Sequence, residues 1–186
     1  AELNEADPNT FYGGDGYDQV SLHPLEGPTT TILTGDGSGT TTTDPGGSLT
    51  FESVEVIFGS NLEDTFDGTA SGTALNFSAK AGNDSLVGGS GSDRLYGGTG
   101  NDGISGGLGA DSVNGDDGND TITFAHGDLA SGGAGDDLFV LQDLGEGPGA
   151  TITITGADTG ETLGGGDTLH DQLCHSVYGS DPFLPH

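Results

Sequence analysis

The chain has 186 residues and carries 30 Asp plus Glu residues against 2 Lys plus Arg, a formal net charge of −28. Such a charge repels nucleic acid phosphates and acidic lipid surfaces, so neither is expected as a partner, and no apolar run is long enough for a membrane span. Low hydrophobicity, high charge and 38 glycines also disfavour unaided folding. A ligand that cancels negative charge would change that balance, and divalent cations are the obvious candidates.

The amino-terminal part is predicted to contain irregular β structure. Residues 29–43, TTTILTGDGSGTTTT, place threonine runs on both sides of a Gly-rich turn, which predicts a β-hairpin. Residues 49–60 contain alternating apolar side chains and are expected to form one strand.

The same region contains two isolated nonapeptide units. Residues 13–21, GGDGYDQVS, have Asp18 at position six and an aliphatic residue at position eight. Residues 59–67 form a degenerate unit with Asp64 at position six, and the pattern is blurred over residues 68–78.

Residues 79–123 are five nonapeptides laid end to end without a slip in register. Every unit has Gly at position four, Asp at position six and a branched aliphatic residue at position eight. A fixed short period that joins an acidic Gly-rich turn to a very short strand is the layout of a calcium-bound parallel β-roll. The position-six residues are Asp84, Asp93, Asp102, Asp111 and Asp120.

The pattern continues less regularly beyond these units. Residues 124–131 are one residue short and are interpreted as having lost the turn aspartate, whereas residues 132–140 restore the motif with Asp137. Residues 149–158 alternate and predict one more strand. The tail from 164 to 186 has no assigned element, and we expect it to cap the last coil, because an uncovered edge invites aggregation.

The spacing predicts where the aspartates meet. Side chains alternate along a three-residue strand, so position eight points into the roll and its neighbours face water. Two units make one coil of 18 residues, so Asp84, Asp102 and Asp120 stack on one side and Asp93 and Asp111 on the other. Stacked carboxylates with convergent glycine carbonyls form an oxygen cage that suits Ca²⁺ better than Mg²⁺, which needs stricter octahedral geometry.

These units resemble the repeats-in-toxin (RTX) family, the hemolysin-type calcium-binding repeats of secreted bacterial proteins. The units at 88–96 and 97–105 match the nine-residue consensus at every defined position, and the resemblance covers residues 79–140. It implies an all-β, right-handed parallel β-roll. We expect a β region with one isolated repeat at 1–58, the roll at 59–140 and a carboxy-terminal cap at 141–186.

The resemblance also implies the calcium ligands. In the family, the position-six aspartate binds calcium together with backbone carbonyls of adjacent loops. Ala79, Lys80 and Asp116 depart from the consensus glycines. The implied aspartate ligands are Asp84, Asp93, Asp102, Asp111, Asp120 and Asp137, with Asp18 and Asp64 as further candidates, and the implied backbone ligands lie at Gly82, Gly89, Gly91, Gly98, Gly100, Gly107, Gly109 and Gly118.

The function implied by the resemblance is calcium binding that drives folding outside the cell. Members of the family typically leave Gram-negative bacteria unfolded through type I secretion machinery and fold in external calcium. The chain has no Met and starts without a signal peptide, so we expect a segment of a larger secreted protein. The single Cys174 excludes an internal disulfide, which is compatible with stabilisation by metal.

The same residues bear on other possible functions. A disordered acidic tail would give position eight no reason to be aliphatic in every unit. Ser105 lies in a GISGG segment that matches a nucleophile elbow, but it sits within a repeat, so the segment itself is not expected to be an enzyme. His170, Cys174 and His175 lack a fourth ligand for zinc. A surface-binding or adhesion module, or an accessory domain of a secreted hydrolase or polysaccharide-modifying enzyme, stays open as an alternative.

Overall fold

The computed structural model describes residues 2–4, 7–22, 27–43, 47–125, 127–142, 153–155 and 168–171. Every regular element in these ranges is a β-strand, so the predicted all-β class is confirmed, and none of these residues forms a helix that could cross a membrane. The strands are β1 Glu2–Asn4, β2 Asp7–Tyr12, β3 Gln19–Ser21, β4 Thr29–Gly35, β5 Ser38–Thr43, β6 Gly47–Glu52, β7 Val56–Phe58, β8 Thr65–Asp67, β9 Asn76–Ala81, β10 Ser85–Val87, β11 Arg94–Thr99, β12 Gly103–Ser105, β13 Ser112–Asp117, β14 Thr121–Phe124, β15 Leu129–Ala134, β16 Leu138–Leu141, β17 Thr153–Thr155 and β18 Thr168–Asp171.

The strands form two sheets that make a parallel β-solenoid. From β7 onward, successive strands alternate between a seven-stranded sheet, in the order β17-β15-β13-β11-β9-β7-β3, and an eleven-stranded sheet, in the order β1-β2-β6-β5-β4-β8-β10-β12-β14-β16-β18. Each strand pairs in parallel with the strand two places on, for example β10 with β12 and β11 with β13. The pairs from β7–β8 to β15–β16 make five coils, and the predicted parallel roll is confirmed.

The two sheets differ in strand length, which the sequence did not predict. The expected three-residue strands occur in the eleven-stranded sheet at β8, β10 and β12, but β9, β11, β13 and β15 of the other sheet have six residues each. There the strand continues through the first three positions of the following unit. Position two takes positive φ within these long strands, including the non-glycine residues Lys80 (86°) and Asp116 (73°).

The interior of the roll is a single file of position-eight side chains from each sheet. Leu86, Leu95, Ile104, Val113 and Ile122 are all buried, with at most 2% of each side chain exposed. The seven- and nine-position neighbours are exposed or half-buried, as expected from strand alternation. One aliphatic side chain per nine residues makes a thin core, so burial alone stabilises the roll weakly.

Aromatic pairs widen the core towards both ends of the regular coils. The rings of Phe66 and Phe77 stack with centroids 4.1 Å apart, and Phe124 meets Phe139 edge to face at 6.3 Å. Phe77 occupies position eight of residues 70–78, so this stretch of the blurred region is itself a structural unit of the roll.

The amino-terminal strands extend the larger sheet beyond the first coil. The predicted hairpin is confirmed as the antiparallel pair β4–β5, and β4 also pairs in parallel with β8. The expected single strand over 49–60 is wrong, because the chain turns at Ser53 (φ 55°) and forms β6 in one sheet and β7 in the other. Phe51, which is fully buried, packs with Leu33 and Val54 in the common core, so this region closes one end of the roll.

The carboxy-terminal strands continue both sheets by one more coil. Strand β17 lies inside the predicted strand at 149–158 and pairs with β15, whereas β18 lies in the tail that had no assigned element and pairs with β16. The rest of the expected cap lies outside the described residues.

Candidate metal centre

The position-six aspartates form two columns, one on each side of the roll. The first column comprises the aspartates that directly precede strands of the eleven-stranded sheet, and the second those that precede strands of the seven-stranded sheet. The predicted stacking on two sides is confirmed. The first column is Asp64, Asp84, Asp102, Asp120 and Asp137, and the second is Asp93, Asp111 and Asp128.

One carboxylate oxygen of each aspartate links consecutive coils. The backbone N–H of Asp84 donates to Oδ1 of Asp102 at 2.7 Å, and that of Asp102 donates to Oδ1 of Asp120 at 2.8 Å. The second column repeats the pattern, with Asp93 N–H donating to Asp111 Oδ1 at 2.8 Å. Because coils in a parallel sheet are about 4.8 Å apart, this ladder fixes like charges at close range.

The second carboxylate oxygen is left without a donor at the middle of both columns. The Oδ2 atoms of Asp84, Asp102, Asp111 and Asp120 are buried and accept no hydrogen bond from the described residues. By contrast, Oδ2 of Asp93 accepts from Gly89 N–H at 2.8 Å. A buried anionic oxygen that lacks a donor is costly unless a cation compensates it, so these atoms fit metal ligands.

The protonation equilibria point the same way. Burial raises the pKa of Asp84, Asp111 and Asp120 from 3.8 to about 7, with neighbouring carboxylates adding to the shift and the backbone hydrogen bond opposing it. Burial is also the main cause of the raised pKa of Asp102 and Asp93. The ionised columns are therefore unfavourable on their own, and a bound cation would favour the ionised form.

Backbone carbonyls run beside the carboxylates. A Cβ added at Gly100 or Gly118 would overlap the carbonyl oxygen of the position-four glycine one coil earlier, and both glycines have positive φ (130° and 146°). Gly109 meets the carbonyl of Gly91 in the same way on the other side. Each turn thus aims a carbonyl oxygen at the next turn, and only glycine leaves room for that approach.

This donor set fits calcium. In the described part of the chain, no three His, Cys, Asp or Glu side chains converge on one point. A cation would therefore depend on aspartate oxygens from stacked turns together with backbone carbonyls. An all-oxygen site of this kind suits a hard cation with flexible coordination, as Ca²⁺ is.

The glycines predicted to supply backbone ligands occupy either position four or position two of their units. Gly82, Gly100 and Gly118 lie in turns of the first column, and Gly91 and Gly109 lie in turns of the second. Gly89 and Gly107 occupy position two of second-column turns, whereas Gly98 lies inside β11. The ligand role of each of these glycines stays a prediction.

Asp64 ends the first column with a carboxylate that protein donors already fill. Its Oδ1 accepts from Thr29 N–H at 2.8 Å and from Thr29 Oγ1 at 2.7 Å, and its Oδ2 accepts from Ser60 N–H at 2.7 Å. Its own N–H donates to Oδ1 of Asp84 at 2.7 Å. This saturation favours a structural role in closing the column over a ligand role.

Asp18 lies on the side of the second column but is separated from it. Its N–H donates to Oε2 of Glu55 at 2.7 Å, so Glu55 takes the place of the next aspartate. Leu75 then occupies position six of the following unit and supplies no carboxylate, although its N–H still donates to Oδ1 of Asp93 at 2.8 Å. The second column is thus interrupted at Leu75. The units at 13–21 and 59–67, taken by themselves, do not reveal this interruption.

One column member was missed from the sequence. The expectation that residues 124–131 lack a turn aspartate is wrong, because Asp128 accepts from the N–H of Asp111 at 2.8 Å and from that of Ala125 at 2.7 Å. The unit is one residue short, so the step from Asp111 to Asp128 is 17 residues instead of 18. The signal available in the sequence was Ala130, an apolar residue two positions after Asp128, and the structure shows it fully buried.

A second ladder of hydrogen bonds runs beside the first column, and its acceptors are asparagine amide oxygens instead of carboxylates. The position-five amides of Asn83 and Asn101 accept through Oδ1 from the N–H groups of Asn101 and Asn119, each at 2.8 Å, and Asn119 accepts from Asp136 N–H at 2.9 Å. These bonds lie on the exposed side of the turns and need no metal.

The fold and the columns define a parallel β-solenoid whose coils are joined by acidic, Gly-rich turns. The family model for the RTX calcium-binding nonapeptide repeat (4 copies) matches residues 76–104, 87–122 and 104–139. Residues 76–139 of the chain are therefore RTX calcium-binding repeats, as the sequence predicted. No curated protein matches the chain.

Proposed function

We propose that this chain is a calcium-binding module that folds on Ca²⁺ outside the cell, as part of a larger secreted bacterial protein. The observation that carries the proposal is the set of buried Oδ2 atoms without donors at Asp84, Asp102, Asp111 and Asp120. Carbonyls of Gly82, Gly100 and Gly118 on one side, and of Gly91 and Gly109 on the other, would complete the oxygen set.

The coupling of binding to folding follows from the balance of forces. The thin core stabilises the roll weakly, and stacked carboxylates oppose it, so the cation's binding free energy becomes folding free energy. Calcium modules that work outside cells have dissociation constants of about 10⁻⁴–10⁻³ M. Affinity in that range leaves the chain open in the cytosol and folded after export, which is compatible with the type I route.

The segment supplies a structural module and no catalytic group in this proposal. A surface-binding or adhesion module, or an accessory domain of a secreted hydrolase or polysaccharide-modifying enzyme, is the alternative role for the protein that contains it. Both alternatives would use the same calcium-dependent roll as a scaffold.

A calcium titration followed by circular dichroism tests the proposal. Starting from chelator, we expect a cooperative gain of β signal with a midpoint at about 10⁻⁴–10⁻³ M Ca²⁺, and a much weaker response to Mg²⁺. A β signal that is complete in chelator, or an equal response to both cations, would contradict it.

A further inference from the structure

The outer face of the seven-stranded sheet carries both basic residues of the chain. Lys80 on β9 and Arg94 on β11 point away from the interior, since Phe77, Ala79 and Leu95 on the same strands are buried. We call the outward residues of β3, β7, β9 and β11 the basic face. In a chain of net charge −28, two cations on one face set this surface apart as a place where an anionic group can approach.

Neither cation is neutralised by a carboxylate in the part of the chain that the structure describes. Among the described residues, neither Lys80 nor Arg94 forms an ion pair. The Lys80 ammonium lies instead 4.4 Å from the centroid of the Phe58 ring, in a cation–π contact. Lys80 is exposed, and so its ammonium is accessible to a ligand that also contacts the ring.

A shallow, open cavity of about 490 Å³ lies on the basic face, and it is lined by Gln19, Ser21, Phe58 and Lys80. Its size lies within the range of about 300–1,000 Å³ that is usual for small-molecule sites. The four side chains come from three adjacent strands, β3, β7 and β9, so a rigid sheet fixes their relative positions. The aspartate columns lie in the turns and contribute nothing to its lining.

We propose that this cavity binds a carboxylated sugar, such as a terminal hexuronate. The Lys80 ammonium pairs with the carboxylate, the Phe58 ring contacts the apolar face of the sugar ring, and the Gln19 amide and Ser21 hydroxyl bond its hydroxyl groups. A simple anion would use only Lys80, and a neutral sugar would leave the ammonium unpaired. The combination of cation, aromatic ring and two neutral polar groups favours a ligand that has all three features.

The test is a titration of the whole chain in saturating calcium, monitored by amide NMR shifts of β3, β7 and β9. The probes are methyl glucuronide, uncharged methyl glucoside and acetate. We expect saturable shifts with the glucuronide and at least about tenfold weaker binding of the other two, as expected for a charge-assisted hydrogen bond. Equal binding of the glucoside or of acetate, or no binding of the glucuronide, would overturn the proposal.

Lys80→Gly is the matched variant, because glycine is the consensus residue at this positive-φ position and the change removes the ammonium without backbone strain. We expect it to lose at least about tenfold in glucuronide affinity, whereas Arg94→Gln, on the same face but outside the cavity lining, keeps wild-type affinity. Circular dichroism of each sample in calcium confirms folding, so loss of sugar binding is distinguished from failure of the calcium-dependent fold. Unchanged affinity in Lys80→Gly would place the sugar elsewhere and refute this site.

Discussion

Replacing Asp102 by Asn separates the hydrogen-bonding role of a column aspartate from its charge. Asp102 is in the middle of the first column and is 3% exposed. Its Oδ1 accepts the N–H of Asp84 at 2.7 Å, whereas its Oδ2 is buried without a donor in the described part of the chain. Asparagine keeps an oxygen at the first place and removes the charge at the second. Alanine removes both.

The magnitudes follow from these two contacts. Losing the acceptor for a buried N–H costs about 1–3 kcal/mol, so Asp102→Ala is less stable than Asp102→Asn with or without calcium. Asp102→Asn keeps that bond and no longer buries a carboxylate with a raised pKa, so in chelator it is as stable as wild type or more stable. In calcium it has lost a charged ligand, and we expect its calcium midpoint to rise by about tenfold or more, which corresponds to about 1.4 kcal/mol.

The assay is a calcium titration by circular dichroism for both variants and for the exposed control Asp15→Asn. We expect the order of calcium midpoints to be wild type and Asp15→Asn lowest, Asp102→Asn higher and Asp102→Ala highest. Asp18→Ala, which is separated from the second column by Glu55 and Leu75, is expected to shift the midpoint less than Asp102→Ala. An unchanged midpoint for Asp102→Asn would refute the assignment of its charge to calcium binding.

Three further predictions rest on the turns. Gly100→Ala is expected to destabilise the calcium form by more than about 3 kcal/mol, because its Cβ would overlap a glycine carbonyl at a positive-φ position. The control Gly103→Ala, whose Cβ would lie 3.9 Å from the nearest atom, is expected to stay within about 0.5 kcal/mol of wild type. Equal losses of stability for the two variants in urea unfolding would contradict this prediction. Asp116→Gly is expected to stabilise the folded state by about 0.5–1 kcal/mol, because glycine adopts the φ of 73° at this position without strain. Asp117→Gly is expected to destabilise the folded state by a similar amount, and urea unfolding midpoints of the two variants test the difference. In chelator, the folded state binds more protons than the unfolded state between pH 3.8 and about 7, so the stability of the fold falls as pH rises through this window. The β signal in EDTA is therefore expected to be greater near pH 4 than above pH 7. The reverse order would show that the column carboxylates are not buried without a counter-charge in the metal-free fold. The groups responsible are Asp84, Asp111 and Asp120.

The regular coils could be predicted because the chemistry repeats with the geometry. A fixed Asp at position six and an aliphatic at position eight determine which side chains stack and which are buried, and both placements are confirmed for Asp102 and Ile104. The exposed asparagine ladder was missed, because position five varies between the two sides of the roll and shows its regularity only when alternate units are compared.

Departures from the period were the source of the errors. A one-residue deletion hid Asp128, since a register read in nines cannot show that a turn shortens while its carboxylate stays in the column. Leu75 occupies the place of an aspartate, so its unit does not match the repeat pattern in the sequence. The backbone nevertheless follows the same course, since the Leu75 N–H still donates to Oδ1 of Asp93. The pairing of β6 with β5 and β2 depends on long-range contacts of the amino-terminal strands, which local alternation does not encode.

Hydrogen–deuterium exchange of the backbone amides at Asp84, Asp93, Asp102 and Asp111, compared between chelator and saturating calcium, tests the central claim most directly. These N–H groups donate to Oδ1 of the column aspartate one coil further on, namely Asp102, Asp111, Asp120 and Asp128. If the cation holds the columns together, all four exchange rapidly in chelator near neutral pH and become protected over the same calcium range on both sides of the roll. Slow exchange of the same amides in chelator would contradict it.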